Sequence, residues 1–315
     1  MRRPAVTKRL RIRVRTVARS PWVPFELRCH LLYWDRRRSW PTRHPVTFNQ
    51  KLLWKMLKDR RPLLTTFADK VAVRDYVARK VGPEVLPQLY AVVTDPTELD
   101  PARLPTEFVI KPNHASGLLW IVADRARFGY EHVVRVEERS FATTPDTLDW
   151  DRFVATCREW LTINYADDHL EWAYRKIPRR ILVEELLLGP DARIPPDYKF
   201  FVIHGRVRLI EVHMDRFGDH RCGIVLPDWS PVAARGPTPP AEHPPPPPDS
   251  LKRMIHIAEA LGQETDFVRV DLYDIADRIV FGELTSYPGG GGVTYSPESF
   301  DADLGRYWSV PRKYN

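Results

Sequence analysis

Apolar residues recur at helical spacing in two early stretches, and this predicts helices over roughly 49–58 and 67–81, the second stopped by Gly82-Pro83. Phe108-Val109-Ile110-Lys111 reads as a short strand that opens into the small-residue loop Pro112-Asn113-His114-Ala115-Ser116-Gly117, with a second strand over 118–122. A helix is expected over 151–164 and a strand leading into a loop over 180–188. Residues 199–203, turning at His204-Gly205 into 207–214, predict a hairpin. Eight prolines fall between Gly236 and Pro248, which reads as an exposed polyproline connection, and a helix over 251–261 follows at once. The last pattern, VRVDLYDIADRIVFGELTSYPGGGG over 268–292, holds two strand-like segments and then a glycine run.

That final stretch carries the clearest chemistry. Asp271 and Glu283 each lie on one of its strand segments, and a turn over 274–277 sets them on neighbouring antiparallel strands. Two facing carboxylates outline a site for a hard cation, since Mg²⁺ commonly takes one or two protein carboxylates and completes its shell with water and phosphate. The glycines 289–292 let backbone N–H groups approach an anion with no Cβ in the way. Together the two features point to nucleotide phosphate chemistry.

Composition narrows the class. The 315 residues are 43% hydrophobic and 11% aromatic, which suits a globular chain with a full core. Cys29, Cys157 and Cys222 are far apart with no C-x-x-C pair, so neither a disulfide framework nor a zinc site is expected, and a reducing cytoplasmic setting fits best. No apolar run approaches a membrane span. Residues 1–61 hold 18 Lys and Arg against Glu26, Asp35 and Asp59, a net of +15, which leaves −8 for the remainder of a chain whose total is +7. Such an arm can hold an anionic polymer, the acidic inner face of a membrane or nucleic acid, or can be simply solvated. Nucleic acid has least support, because no RNA-module aromatic motif accompanies the charge.

The segments FNQKLLW (48–54), DKVAVRDYV (69–77), FVIKPNHASG (108–117), ILVEELL (181–187), PDYKFF (196–201), DRFGDH (215–220), FVRVDLY (267–273) and FGELTSYPGGG (281–291) occur in one order, and in that order the chain resembles the ATP-grasp superfamily. Within it, the chain is similar to the TupA-like group, named after a protein of teichuronopeptide biosynthesis. The resemblance covers about 47–310. It implies an α+β ATP-grasp fold in which two α+β subdomains clamp ATP, preceded by a short basic, mainly helical region. The expected division is a basic arm with an Arg- and Trp-rich segment (1–46), a helical subdomain (47–105), a lid subdomain with hinge (106–188) and a C-terminal subdomain with the metal site (189–315).

The resemblance also implies roles. Lys70 and Lys111 would reach phosphates or adenine, and the amides of the Asn113, Ser116 and Gly117 loop would cover the β- and γ-phosphates. Ala115 stands where the usual form of that loop has Gly. Glu184 would face the adenine amino group, with backbone groups of Glu185 and Leu187 reading the ring edge; the plainer alternative is a buried strand carrying two solvated glutamates. Lys199 and Arg216, on the two arms of the hairpin, would point at the phosphates, whereas His213 and His220 read as surface polar groups. Asp271 and Glu283 would hold Mg²⁺, with Thr285 at a third ligand position acting through water. Arg269, helped by the amides of Gly289, Gly290 and Gly291, would stabilise charge building on a reacting carbonyl.

The chemistry so implied is carboxylate activation by ATP and Mg²⁺ to an acyl phosphate, then displacement of phosphate by an amine. The partners would be a carboxylate and an amine, among them an anionic glycan or peptide acceptor of the cell envelope or a peptide-like natural product. An ATP-grasp kinase acting on a sugar or glycan hydroxyl, and a non-enzymatic polymer-binding protein, stand as alternatives.

Overall fold

A computed structural model describes residues 8–20, 22–37, 40, 44–123, 141–143, 148–216, 218–242 and 244–314. The first seven residues of the basic arm, and 38–39 and 41–43 of the Arg- and Trp-rich segment, lie outside the described residues. Two five-stranded sheets organise the rest. The first has the order β1 (Leu89–Val93), β5 (Ile181–Glu184), β2 (Phe108–Pro112), β3 (Trp120–Val122), β4 (Phe141–Thr143), antiparallel except for the β3–β4 pair. The second is antiparallel throughout, in the order β10 (Arg278–Thr285), β9 (Phe267–Ile275), β6 (Asp197–Ile203), β7 (Arg206–Met214), β8 (Arg221–Val225). The boundary expected at residue 105 therefore falls inside one sheet, between β1 and β2.

Helices cover both faces of the second sheet. Helix α5 (Ala72–Val81) and the helix Leu251–Gly262 pack Val77, Met254, Ala258 and Leu261 against Phe200, Val268 and Val270. Gly262 permits the close approach: a Cβ there would lie 2.4 Å from a methyl of Val202. On the other face, α3 (Phe48–Lys58) starts in a capping box between Thr47 and Gln50 and buries Phe48 completely among Phe201, Phe267 and Trp308, at ring separations of 5.0–5.7 Å. The first sheet is covered by the helix Trp150–Thr162, with Phe153 edge-on to Trp120 at 5.3 Å.

Three expectations need correction. The helical pattern over 67–81 is broken into α4 (Pro62–Ala68) and α5, because Asp69 takes an extended backbone and its carboxylate accepts the N–H of Val71 at 2.9 Å. The proline tract is a strap along the edge of β8 rather than a free connection. Cys222 N–H donates to Pro239 O and Ala241 N–H to Cys222 O, both at 2.9 Å, so the edge is covered. The basic region is helical, as expected, yet much of it is docked. Helix α2 (Phe25–Arg37) buries Cys29 and Tyr33 against Leu53, Leu57 and Leu170, and Arg28 of α2 donates to Ala18 O of α1 (Lys8–Arg19) at 2.8 Å.

Candidate active site

The two sheets face one another across a crevice, and the α4–α5 break delivers Lys70 into it. Lys70 N–H donates to Asn113 O at 3.2 Å and its ammonium bonds Ala115 O. Burial lowers the Lys70 pKa, opposed by Glu283. Asn113 is fully buried and turned inward. Its Nδ2 donates to Asp69 at 2.8 Å and Pro178 O at 2.9 Å, its Oδ1 accepts Arg180 N–H at 2.7 Å, and its own N–H is bonded to Arg180 O. Asn113 thus braces the loop, while Ser116 and Gly117, the latter at φ +73°, form its open part. The Ala115 methyl is buried in the core of the first sheet.

Lys111 on β2 is ion-paired with Glu184 on β5, and Arg74 reaches the same carboxylate at 4.0 Å. Glu184 is therefore a buried, ion-paired carboxylate, whereas Glu185 stays partly exposed. Glu185 joins the sheets: its N–H donates to Gln88 O at 2.9 Å, and its carboxylate takes Arg278 of β10 at 2.7 and 3.0 Å. Leu187 follows in the half-buried loop. Lys70, Arg74, Lys111 and Glu184 on one side and Phe281 and Glu283 on the other line the narrow pocket between the sheets.

Asp271 and Glu283 are direct cross-strand partners. The turn Ala276-Asp277 has positive φ at both residues, which suits a two-residue hairpin loop, and a bulge at Gly282 shifts the register next to Glu283. Asp271 is buried and held by Arg269 at 2.7 Å through each of its oxygens and by Lys199 at 2.6 Å. Burial opposes its ionisation, but the Arg269 and then the Lys199 charge outweigh this and hold the carboxyl far below the usual range. Arg269 also donates to Thr285 at 3.1 Å.

Asp197, two residues before Lys199 and so on the same face of β6, bonds the Lys199 ammonium. Its second oxygen is buried with no hydrogen-bond partner among the described residues. Arg216 needs correction: it lies beyond the end of β7, not on the hairpin arm, and reaches Asp197 from there at 3.3 Å. Although burial disfavours its charge, Asp197 raises its pKa.

A second cleft of about 360 Å³ opens on the far side of Glu283. Its floor is the glycine turn, where Gly289, Gly290 and Gly291 all have positive φ of 57–67°, a conformation only glycine adopts cheaply. Arg36 of α2 donates to the carbonyls of Gly289 and Gly290 at 3.3 and 3.1 Å, and Arg37 to Val293 O at 2.9 Å. Tyr165, His169, Glu171 and Tyr174 form a wall, and burial, aided by the nearby Glu283 charge, pushes the Glu171 carboxyl up to about 8. Sequence reasoning missed Asp197, Glu171, Arg36 and Arg74. Only Asp197 left a signal, its period-two spacing from Lys199.

Among the described residues no group of three or more His, Cys, Asp or Glu side chains could enclose a metal ion, and His213 and His220 bond each other at 2.9 Å at the edge of the site. Asp271 and Glu283 with the Thr285 hydroxyl nearby make a two-carboxylate donor set, which fits Mg²⁺ shared with phosphate and water rather than an all-protein cage.

No curated protein sequence matches the chain. Among solved structures it is similar to a D-alanine–D-alanine ligase from Bacillus anthracis complexed with ATP, at 12% identity and TM-score 0.38 over 71% of this chain and 55% of that one. It is also similar to the VanG D-Ala:D-Ser ligase from Enterococcus faecalis (14%, 0.38, 72% and 55%) and to the ATP-grasp ligase PsnB with a minimal precursor (14%, 0.34, 71% and 53%). The chain spans about half the length of these proteins. The model of the TupA-like ATP-grasp family matches residues 50–309, and the chain belongs to that family.

Proposed function

We propose that the protein is an ATP-dependent carboxylate–amine ligase that works through an acyl phosphate. One observation carries the reading: the Asp271–Glu283 pair, with Lys199 and Arg269 against it, lies between the crevice of Lys70 and Lys111 and the cleft floored by the glycine turn. Lys70, Lys111 and Lys199 would meet the triphosphate as point-charge donors. Mg²⁺, held by Asp271 and Glu283, would neutralise charge on the β- and γ-phosphates. A substrate carboxylate oxygen attacks the γ-phosphorus, ADP leaves, and the amine then forms the C–N bond as inorganic phosphate departs. Arg269 stabilises the oxyanion at the acyl carbon, and positioning carries most of the rate. Glu184 and the backbone of Glu185 and Leu187 form the adenine side.

The test is incubation with ATP, Mg²⁺, a panel of carboxylates and hydroxylamine, read by mass spectrometry. Hydroxamate with ADP and phosphate is expected. AMP with pyrophosphate overturns the acyl-phosphate route, and a phosphorylated hydroxyl product establishes the kinase reading.

We further propose that the N-terminal helices rest on an anionic lipid surface. Of the nine large hydrophobic side chains standing strongly exposed among the described residues, six (Ile12, Val17, Trp22, Leu27, Trp40 and Val46) fall in this basic region. Exposed tryptophan and aliphatic groups among arginines match an interface of acyl chains and acidic headgroups. No helix among the described residues is long and apolar enough to cross a membrane, so the contact would be peripheral.

A further inference from the structure

Glu171 is the group the ligase chemistry above leaves unused. Its side chain is 9% exposed, it lines the 360 Å³ cleft, and among the described residues its carboxylate has no hydrogen-bond or ion-pair partner. A buried carboxylate in that condition is costly until a cation or proton meets it. Two cations act on it and both have partners of their own, Arg36 of the cleft with the Gly289 and Gly290 carbonyls and Lys70 of the neighbouring crevice with Ala115 O. The backbone turns sharply just before it: Leu170 takes a left-handed conformation (φ 59°) while buried against Cys29, Tyr33, Leu53 and Leu57. Leu170 is the C-cap of the helix Tyr165–His169, so this turn ends the helix and sets where Glu171 leaves it.

The surroundings describe the ligand. Tyr165 stacks on His169 at 4.1 Å and is tilted by 53° against Tyr174 at 4.6 Å, an aromatic wall beside the carboxylate. Aromatic faces next to a carboxylate suit an ammonium and its carbon skeleton. On the opposite side Arg36 spends one nitrogen on the glycine turn and keeps further N–H donors for an anion. The glycines make room for it, since a Cβ at Gly290 or Gly292 would come within 2.7 or 2.4 Å of the Arg36 side chain. At about 360 Å³ the cleft is at the small end of small-molecule sites, a size that suits a compact ligand.

Resting on the ligase reading, we infer that this cleft is the acceptor site and that it takes a free amino acid, with the ammonium on Glu171 and the carboxylate facing Arg36. Arg36 lies outside the 50–309 segment matched by the family model, so the N-terminal region would supply part of acceptor recognition in this chain.

The test is calorimetric binding to the full chain saturated with Mg²⁺ and a non-hydrolysable ATP analogue. The probes are glycine, L-alanine, D-alanine, L-glutamate, L-lysine and L-tyrosine, each with its N-acetyl and methyl-ester derivatives. At least one parent amino acid should bind, and its N-acetyl derivative at least tenfold more weakly. Glu171→Gln should weaken the parent at least tenfold while the nucleotide analogue binds as to wild type, which separates the effect from misfolding. Arg36→Ala should abolish the preference for acid over methyl ester. Absence of binding by every parent, equal binding of N-acetyl and parent forms, or a neutral Glu171→Gln overturns the inference. If the wild-type chain makes hydroxamates but fails these tests, only the acceptor assignment falls; amine binding without hydroxamate from any carboxylate sinks the ligase reading instead.

Discussion

Two clusters of buried charge sit on the second sheet and its neighbours, and they differ in what completes them. In the first, Lys55 of α3 is fully buried and bonds Asp59 at 2.9 Å, Thr265 at 3.0 Å and Asp266, while Arg61 closes on Asp59 at 2.6 Å. Trp308 and Tyr314 each donate to Asp266 at 2.8 Å, and the Tyr314 ring lies 5.1 Å from both cations. None of its buried side-chain atoms is left unpaired among the described residues. The second cluster, Lys199, Arg269, Asp197, Asp271 and Arg216, is as densely paired at its centre but leaves Asp197 Oδ1 buried and unsatisfied. Just past Thr285, which Arg269 bonds, the buried Ser286 and Tyr287 hydroxyls have no hydrogen-bond partner among the described residues. Charge that the protein satisfies completely holds the fold together; charge left incomplete beside a cleft is set for a ligand.

The comparison breaks if substitutions in the two clusters have the same signature. Glu283→Gln should have the largest effect on turnover, a loss of about 10²–10³ in kcat under saturating MgATP. Its melting temperature should hardly move, as the side chain is 29% exposed. Wild-type turnover in this variant would remove the metal assignment. Lys55→Met should do the reverse, costing about 3–5 kcal/mol in denaturant unfolding because it removes the buried cation that Asp59 and Asp266 share. The folded fraction should still turn over ATP.

With pH the contrast extends to the cleft, where Glu171 should respond in the direction opposite to the Asp59 and Asp266 cluster. Despite burial, Arg61 and Lys55 lower the Asp59 pKa, and Lys55 lowers that of Asp266, from 3.8. Their stabilisation is therefore present above that value and lost as pH falls through the folded-state range below it. Glu171 is raised from 4.5 to about 8, so the folded state binds the extra proton between those values and stability drops as pH rises through the window. Glu171→Gln should melt with wild type at pH 4 and several degrees above it at pH 8.5. Equal melting temperatures at both would show that the carboxyl titrates normally. The smallest effect on stability belongs to Trp22→Ala, where a 92% exposed ring should leave unfolding within about 0.5 kcal/mol but reduce co-sedimentation with phosphatidylserine vesicles. Unchanged sedimentation would withdraw the membrane contact.

How much of this was legible depended on how local the cause is. That Asp271 and Glu283 lie on neighbouring strands could be read from sequence, although a two-residue turn alone sets Gly282 opposite Asp271 and it is the bulge at Gly282 that brings Glu283 into register. The helix break at Asp69 could not: Phe67, Val73, Tyr76 and Val77 keep an apolar pattern across it, while its stabilising contact comes from Asn113, 44 residues away. Strand β1, LYAVV, was missed because it is short and lies between loops, gaining its place only by pairing with β5. Glu171 and Arg36 are brought together by the docking of α2, which no spacing in either segment announces.

The central claim, that ATP is spent on activating a carboxylate at the incomplete cluster, is tested most directly by oxygen transfer. A donor labelled with ¹⁸O in its carboxylate, turned over with MgATP and an amine, should yield ADP and inorganic phosphate carrying one ¹⁸O, read by the isotope shift in ³¹P NMR. Unlabelled phosphate, or label found in AMP, would contradict it.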